Sequence, residues 1–103
     1  MLFKKTRKTQ DIDLEEMNDI IRNNNNNVVL LDVRSPQEFK EGHIRNAINI
    51  PLYEINIRLP RIIKDKSRII IVYCLSGKRS KKAAIYLDKC GYKNVYNLRN
   101  GIE

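Results

Sequence analysis

Tryptophan is absent from this 103-residue chain, and glycine (four), proline (three), phenylalanine (two), cysteine (two) and histidine (one) are scarce. Little glycine and proline excludes a collagen-like or low-complexity chain, in which those residues dominate. Two cysteines close one disulfide at most, so a disulfide scaffold is excluded, and Cys74 and Cys90 are read as free thiols. A single histidine with no second ligand adjacent in sequence gives no metal-binding pattern. No run approaches the roughly 18 apolar residues of a membrane helix. The opening MLFKKTRKTQ carries charge without an apolar stretch behind it, unlike a secretory signal. These absences set the expectation of a cytoplasmic, reducing location.

Acidic residues are also in the minority, twelve against twenty Lys and Arg, for a net charge of +8. Such an excess attracts anions from a distance, but charge alone does not choose among nucleic acid, acidic proteins and small oxyanions. Basic clusters occur only at Lys4 to Lys8 and Lys78 to Lys82, with no aromatic interleaving for base stacking, so nucleic-acid binding is not expected. What the chain does have is 42% hydrophobic residues, enough for the one compact core that this length allows. The expected organisation is a basic N-terminal segment over residues 1–11 and one domain over residues 12–103.

Elements alternate along that domain. Asp13 followed by Glu16 resembles a capping box, and Leu14, Met17, Ile20 and Ile21 share a face, which predicts a short amphipathic helix. Five asparagines, 23–27, then predict a solvated loop. The run VVLLDV, from Val28 to Val33, lacks alternation, as a parallel strand covered on both faces would. Ser35 and Pro36 suit the N-cap and first turn of a helix that Gly42 can end. Ala47 to Ile50 offers a shorter strand; Leu52, Ile55 and Leu59 line a brief helix that Pro60 should stop. IIIVY, Ile69 to Tyr73, is the clearest strand. The stripe Ala83, Ala84, Leu87, Cys90 predicts a helix over Lys78 to Lys89, closed by Gly91 and Tyr92, and Val95 to Leu98 makes a last strand. Strands separated by helices imply βαβ crossovers and a parallel sheet with helices on both faces.

Cys74 stands directly after the clearest strand and before Leu75, Ser76, Gly77, Lys78, Arg79 and Ser80. In an open α/β sheet, ligands bind beyond the carboxyl ends of the strands. A loop there can turn successive N–H groups toward one point, and the helix dipole adds positive potential. A cysteine at that point is read as a thiolate nucleophile, whereas Cys90, on a helix stripe, reads as a core residue. A Walker-type phosphate loop is excluded, because Val72 and Arg79 stand where Gly and Ser or Thr are needed. Cysteine phosphatases place five residues between cysteine and arginine; here four separate Cys74 from Arg79. The shorter loop has room for one extra sulfur rather than a phosphate, which points to persulfide chemistry.

DVRSPQEFKEGHIRNAINIP, from Asp32 to Pro51, together with VYCLSGKRS and the ending YKNVYNLRNGI, resembles the rhodanese (thiosulfate sulfurtransferase) family in a single-domain form. The resemblance implies an α/β fold around a five-stranded, mostly parallel sheet. It implies that Cys74 takes a sulfur from a small anionic donor such as thiosulfate, releases sulfite, and holds a persulfide. The sulfur then passes to cyanide or a thiol, with a protein as possible donor or acceptor. No cofactor and no metal are implied beyond the covalent persulfide. The loop Leu75 to Ser80 would bind donor and persulfide, with Lys78 and Arg79 either steering the dianion or standing as solvated charges. Asp32 and Arg34 match the family's Asp-x-Arg element, and His43 its Glu-Gly-His-Ile pattern; all three are read as structural support near the site, His43 by buried hydrogen bonding. Glu38 and Glu41 are read as solvated helix charges.

The chain departs from the family pattern at Leu75, where many members carry a basic residue, and at Asn100, which precedes Gly101 in place of a second glycine. The first departure puts efficient use of thiosulfate in question. At the second, asparagine is expected to keep the left-handed turn. Two rival readings stand beside sulfur transfer: a sulfur-carrying or partner-docking module with little turnover, and, disfavoured by loop length, a phosphatase or arsenate reductase.

Overall fold

A computed structural model describes residues 9–103; the Lys4 to Lys8 cluster and residues 1–8 of the basic N-terminal segment lie outside the described residues. The strands are β1 (Gln10–Ile12), β2 (Val28–Asp32), β3 (Ile48–Asn49), β4 (Ile69–Tyr73) and β5 (Asn94–Leu98). Four α-helices alternate with them: α1 (Leu14–Asn23), α2 (Pro36–Glu41), α3 (Ile55–Ile62) and α4 (Lys78–Lys89), with a 3₁₀ turn, Leu52–Glu54, before α3. All strand pairs are parallel, in the order β1-β5-β4-β2-β3. This is the expected α/β architecture, with five strands and helices on both faces.

Unbroken apolar runs make sense once both faces are covered. From β4, Ile70 and Val72 point into a cluster with Ile55, Leu59 and Ile63 of the α3 region and Ala83, Ala84 and Leu87 of α4. Ile71 and Tyr73, the alternate residues, pack on the other side with Ile12, Met17 and Leu30, where Ile20 and Ile21 of α1 add partial cover. A strand whose two faces meet different helices needs apolar side chains at every position.

Caps position the helices. Asp13 and Glu16 form a reciprocal box at α1, at 2.8 and 2.9 Å, and Ser35 with Glu38 forms a second at α2, at 3.0 and 3.2 Å. Gly91, at φ 95°, ends the α4 turn, and the Tyr92 amide donates to the Leu87 carbonyl at 3.1 Å.

Three expectations are corrected. Leu14, in the first turn of α1, is 57% exposed and does not join Met17 in the core. Helix α3 continues through Pro60 to Ile62. Pro60 lacks only the N–H that would reach Asn56, an exposed residue, while Leu59 and Ile63 keep the following turn packed on the core and joined by a 2.8 Å amide bond. Strand β1 begins at Gln10, so the sheet takes in two residues of the segment read as preceding the domain. Three residues with one buried side chain carry no periodic signal; pairing to β5 makes them a strand.

Connections leaving β2 and β4 run toward opposite edges of the sheet, because β2 leads to its neighbour β3 and β4 to its neighbour β5. Adjacent strands with diverging connections open a crevice at their carboxyl ends, where α/β sheets bind ligands. Arg34 follows β2 and Cys74 follows β4 at this crevice.

Candidate active site

Cys74 is fully buried at the end of β4, and the chain folds over it before α4 starts. Its Sγ accepts hydrogen bonds from the Gly77 amide at 3.0 Å and the Ser80 amide at 3.4 Å. As a thiol it donates to the Ser80 hydroxyl at 3.4 Å, whose own proton goes to the Gly77 carbonyl at 3.2 Å. Once ionised, the sulfur can accept from that hydroxyl instead. Burial pushes the thiol's pKa up, but the Ser80 hydroxyl and the amides of Ser80, Gly77 and Ser76 together outweigh it, so the pKa lies below its ordinary value. Donors fixed in place stabilise an anion without reorienting.

Gly77 makes this geometry possible. As N-cap of α4 it sits at φ 98°, and a Cβ there would lie 1.9 Å from the Arg99 carbonyl oxygen. From the C-terminal side, the Ile102 and Glu103 amides donate to the carbonyls of Cys74 and Leu75 at 3.2 and 2.9 Å. The left-handed residue in that turn is Gly101, at φ 64°, where a Cβ would fall 2.4 Å from the Cys74 carbonyl oxygen. Asn100 does not adopt a positive φ. The turn therefore relies on the glycine that is present rather than on left-handed asparagine.

Around the crevice the sequence-expected residues divide. Leu75 and Ser76 are exposed, Leu75 at 42%, and Lys78 is exposed and makes no ion pair among the described residues. Arg79 keeps part of its side chain in solvent but is not a free charge. Its Nη1 and Nη2 donate to Glu38 Oε1 and Oε2 at 2.8 and 3.0 Å, a bidentate pair from the first turn of α4 to α2. Hydrogen bonds from Arg79, then from the Ser35 amide, hold the Glu38 carboxyl down at about 2. Glu38 is thus corrected from a solvated charge to a partner of the loop arginine; Glu41 is exposed. Ser35 and Pro36 predict the cap at Ser35 but not the part that Glu38 takes in it, and the second partner of Glu38 comes from 41 residues away.

Asp32 and Arg34 form a second pair, buried at 0% and 5% exposure. Arg34 donates through its backbone amide and Nε to Asp32 Oδ1 at 2.9 and 3.1 Å, and through Nη2 to Oδ2 at 2.8 Å. Its Nη2 also reaches the Gly42 carbonyl at 2.6 Å. Two residues unmarked by the sequence complete this support. The Tyr73 hydroxyl accepts from the Ile44 amide at 3.0 Å, and burial pushes its pKa up to about 12. Asn49 Nδ2 donates to the carbonyls of Asp32 and Arg34, both at 3.0 Å. His43 is corrected from buried to exposed: its ring stacks on Phe39 at 3.6 Å, and Nδ1 lies 2.7 Å from the Phe39 carbonyl oxygen. It follows Gly42, the C-cap of α2, where the chain turns along the surface.

Cys90, partly buried, packs against the cluster shared with α3 and α4, as a helix-stripe residue should. No group of three metal-ligating side chains occurs among the described residues, and no described helix is long and apolar enough to cross a membrane.

Known proteins are similar to this chain in sequence and fold. The chain is 44% identical over 75 residues to a protein named sulfurtransferase from Allochromatium vinosum, covering 73% of this chain and 68% of that one. It is 39% identical over 67 residues to thiosulfate sulfurtransferase PspE of Escherichia coli, covering 65% of this chain and 64% of PspE. With the tRNA uridine(34) hydroxylase of Buchnera aphidicola it shares 37% identity over 92 residues, 85% of this chain but only 29% of that protein. A solved structure from Staphylococcus saprophyticus superposes with a TM-score of 0.80 at 28% identity, covering 92% of this chain and 91% of that one. The rhodanese-like domain model matches residues 13–103, the whole span from the α1 cap through the loop after Cys74 to the turn behind it, and the chain belongs to the rhodanese-like domain family.

Proposed function

We propose that this member of a sulfurtransferase family moves sulfane sulfur through a persulfide on Cys74. The observation that carries the reading is the convergence of the Gly77 and Ser80 amides and the Ser80 hydroxyl on Cys74 Sγ. The Cys74 thiolate attacks the outer sulfur of thiosulfate, a sulfur–sulfur bond forms on the enzyme, and the donor's sulfur–sulfur bond breaks with its electron pair leaving on sulfite. Charge balances: a thiolate and a dianion become a persulfide anion and sulfite. Cyanide or a thiolate acceptor then attacks the outer sulfur, taking it as thiocyanate or a new persulfide and returning the Cys74 thiolate. The covalent persulfide is the only carrier this cycle needs, and two free thiols suit a reducing cytoplasm.

Burial of Cys74 means that the exposed loop residues Leu75 and Ser76 must admit the donor. Mass spectrometry after incubation with thiosulfate, and in parallel with other sulfane donors, tests the reading. The expected result is the mass of one added sulfur, about 32 Da, on the Cys74 peptide and none on Cys74→Ser, by the thiolate nucleophile argument. No adduct with any donor would refute it.

A second reading is a sulfur-carrying or docking module with little turnover. It is favoured by the hydroxylase relative, in which the matching stretch is 29% of a longer protein. Partner binding and cellular function that survive Cys74→Ser would support it over catalysis.

A further inference from the structure

Glu38 occupies the bidentate face of Arg79, the one arginine in the loop that closes over Cys74. Arg79 stands in the first turn of α4, directly before Ser80, whose amide and hydroxyl meet Cys74 Sγ, so its charge lies beside the site and is not a remote surface cation. Both donor groups that would grip an oxyanion in a forked geometry are aimed at a carboxylate of the protein itself. A third bond, from the Ser35 amide at 3.0 Å, fixes Glu38 Oε1, and the capping box fixes the backbone that carries it. Because the carboxyl is held at about 2, it is ionised at neutral pH. What is left for an incoming anion is the amide ring around Cys74 and the exposed Lys78, a point charge without forked geometry.

We infer that Glu38 is a specificity-determining residue: by holding Arg79, it lowers the site's preference for small dianionic donors relative to donors of lower charge. The inference rests on the sulfur-transfer reading, yet its central prediction does not require turnover. Replacing Glu38 by Gln removes the charge while keeping an amide that can still close the capping box with Ser35, so α2 retains its start. Arg79 is then released toward the crevice.

Two alkylating agents of nearly equal size, iodoacetate and iodoacetamide, differ in charge and report on Cys74 whether or not sulfur transfer occurs. The alkylation rates at Cys74, followed by peptide mass to separate it from Cys90, give an anion-to-neutral rate ratio. Glu38→Gln is expected to raise that ratio several-fold, and to lower KM for thiosulfate more than it changes kcat. The double variant Glu38→Gln/Arg79→Gln is expected to return the ratio to the wild-type range. An unchanged ratio in Glu38→Gln, with circular dichroism and Tm as in wild type, would overturn the inference. So would a raised ratio that persists in the double variant, since loss of negative charge, not release of Arg79, would then be the cause. If Glu38→Gln unfolds, Arg79→Gln alone decides: a several-fold fall in the ratio means that Arg79 already serves the anion and overturns the inference, and an unchanged ratio supports it. A raised ratio without any persulfide on Cys74 would separate failure of the sulfur-transfer reading from failure of this one.

Discussion

Ser80 meets the Cys74 sulfur twice, through its amide and its hydroxyl, both at 3.4 Å. The hydroxyl is the stronger of the two in drawing the thiol's pKa below its ordinary value against the opposing effect of burial. A lowered pKa means that the thiolate fills in at a lower pH than it would without these donors. The same shift stabilises the folded state: the gain is fully present above the unfolded thiol's pKa and is lost as pH falls through the folded one. Ser80→Ala should therefore move the thiolate midpoint upward and lower the rate of persulfide formation near neutral pH. The ultraviolet thiolate absorbance of each protein, taken as a difference from Cys74→Ser, measures the midpoint without requiring a reagent to reach the buried sulfur. A midpoint that does not move would show that the amides alone set it. At this scale the sequence was informative about Cys74, because a cysteine between an apolar run and Ser-Gly-Lys-Arg-Ser has few structural explanations. It said little about Glu38, whose partner Arg79 is 41 residues away.

At the scale of elements, the loop between β4 and α4 is held from two sides. Gly77 lets the chain turn left-handed beneath the Arg99 carbonyl, and the Gly101 turn brings the Ile102 and Glu103 amides onto the loop's carbonyls. Gly77→Ala should destabilise the protein by more than the about 1–2 kcal/mol that a left-handed non-glycine residue costs, because backbone must also move away from the new Cβ. Urea denaturation measures this, and a loss under 1 kcal/mol would show that the turn yields easily. The strands β2 and β4 and the helix α4 were legible because their apolar patterns are long. Strand β1 was not, since its three residues are defined by hydrogen bonding to β5. Nor was the end of α3, where packing of Leu59 and Ile63 overrides the break expected at Pro60.

For the whole molecule, the buried Asp32–Arg34 pair ties the inner strand β2 to the Gly42 carbonyl, while Tyr73 of the central strand β4 holds the next loop through Ile44. Arg34→Ala would leave the Asp32 carboxylate buried without its partner. Breaking such a pair typically costs about 3–5 kcal/mol. A fall of that size in the unfolding free energy is expected, with weaker persulfide formation following from a loosened crevice; a change below 1 kcal/mol would mean that water replaces the guanidinium.

The sequence by itself determined the alternation of strands and helices, the parallel sheet, and the placement of a thiol at the end of a strand, because these depend on local periodicity and short-range spacing. Only the tertiary structure decided which charges meet. Whether Arg79 faces solvent, substrate or Glu38 depends on where α2 lies relative to α4, and the lowered pKa of Cys74 depends on amides oriented by a turn that packs under the Arg99 carbonyl and is held by the Ile102 and Glu103 amides from the far end of the chain.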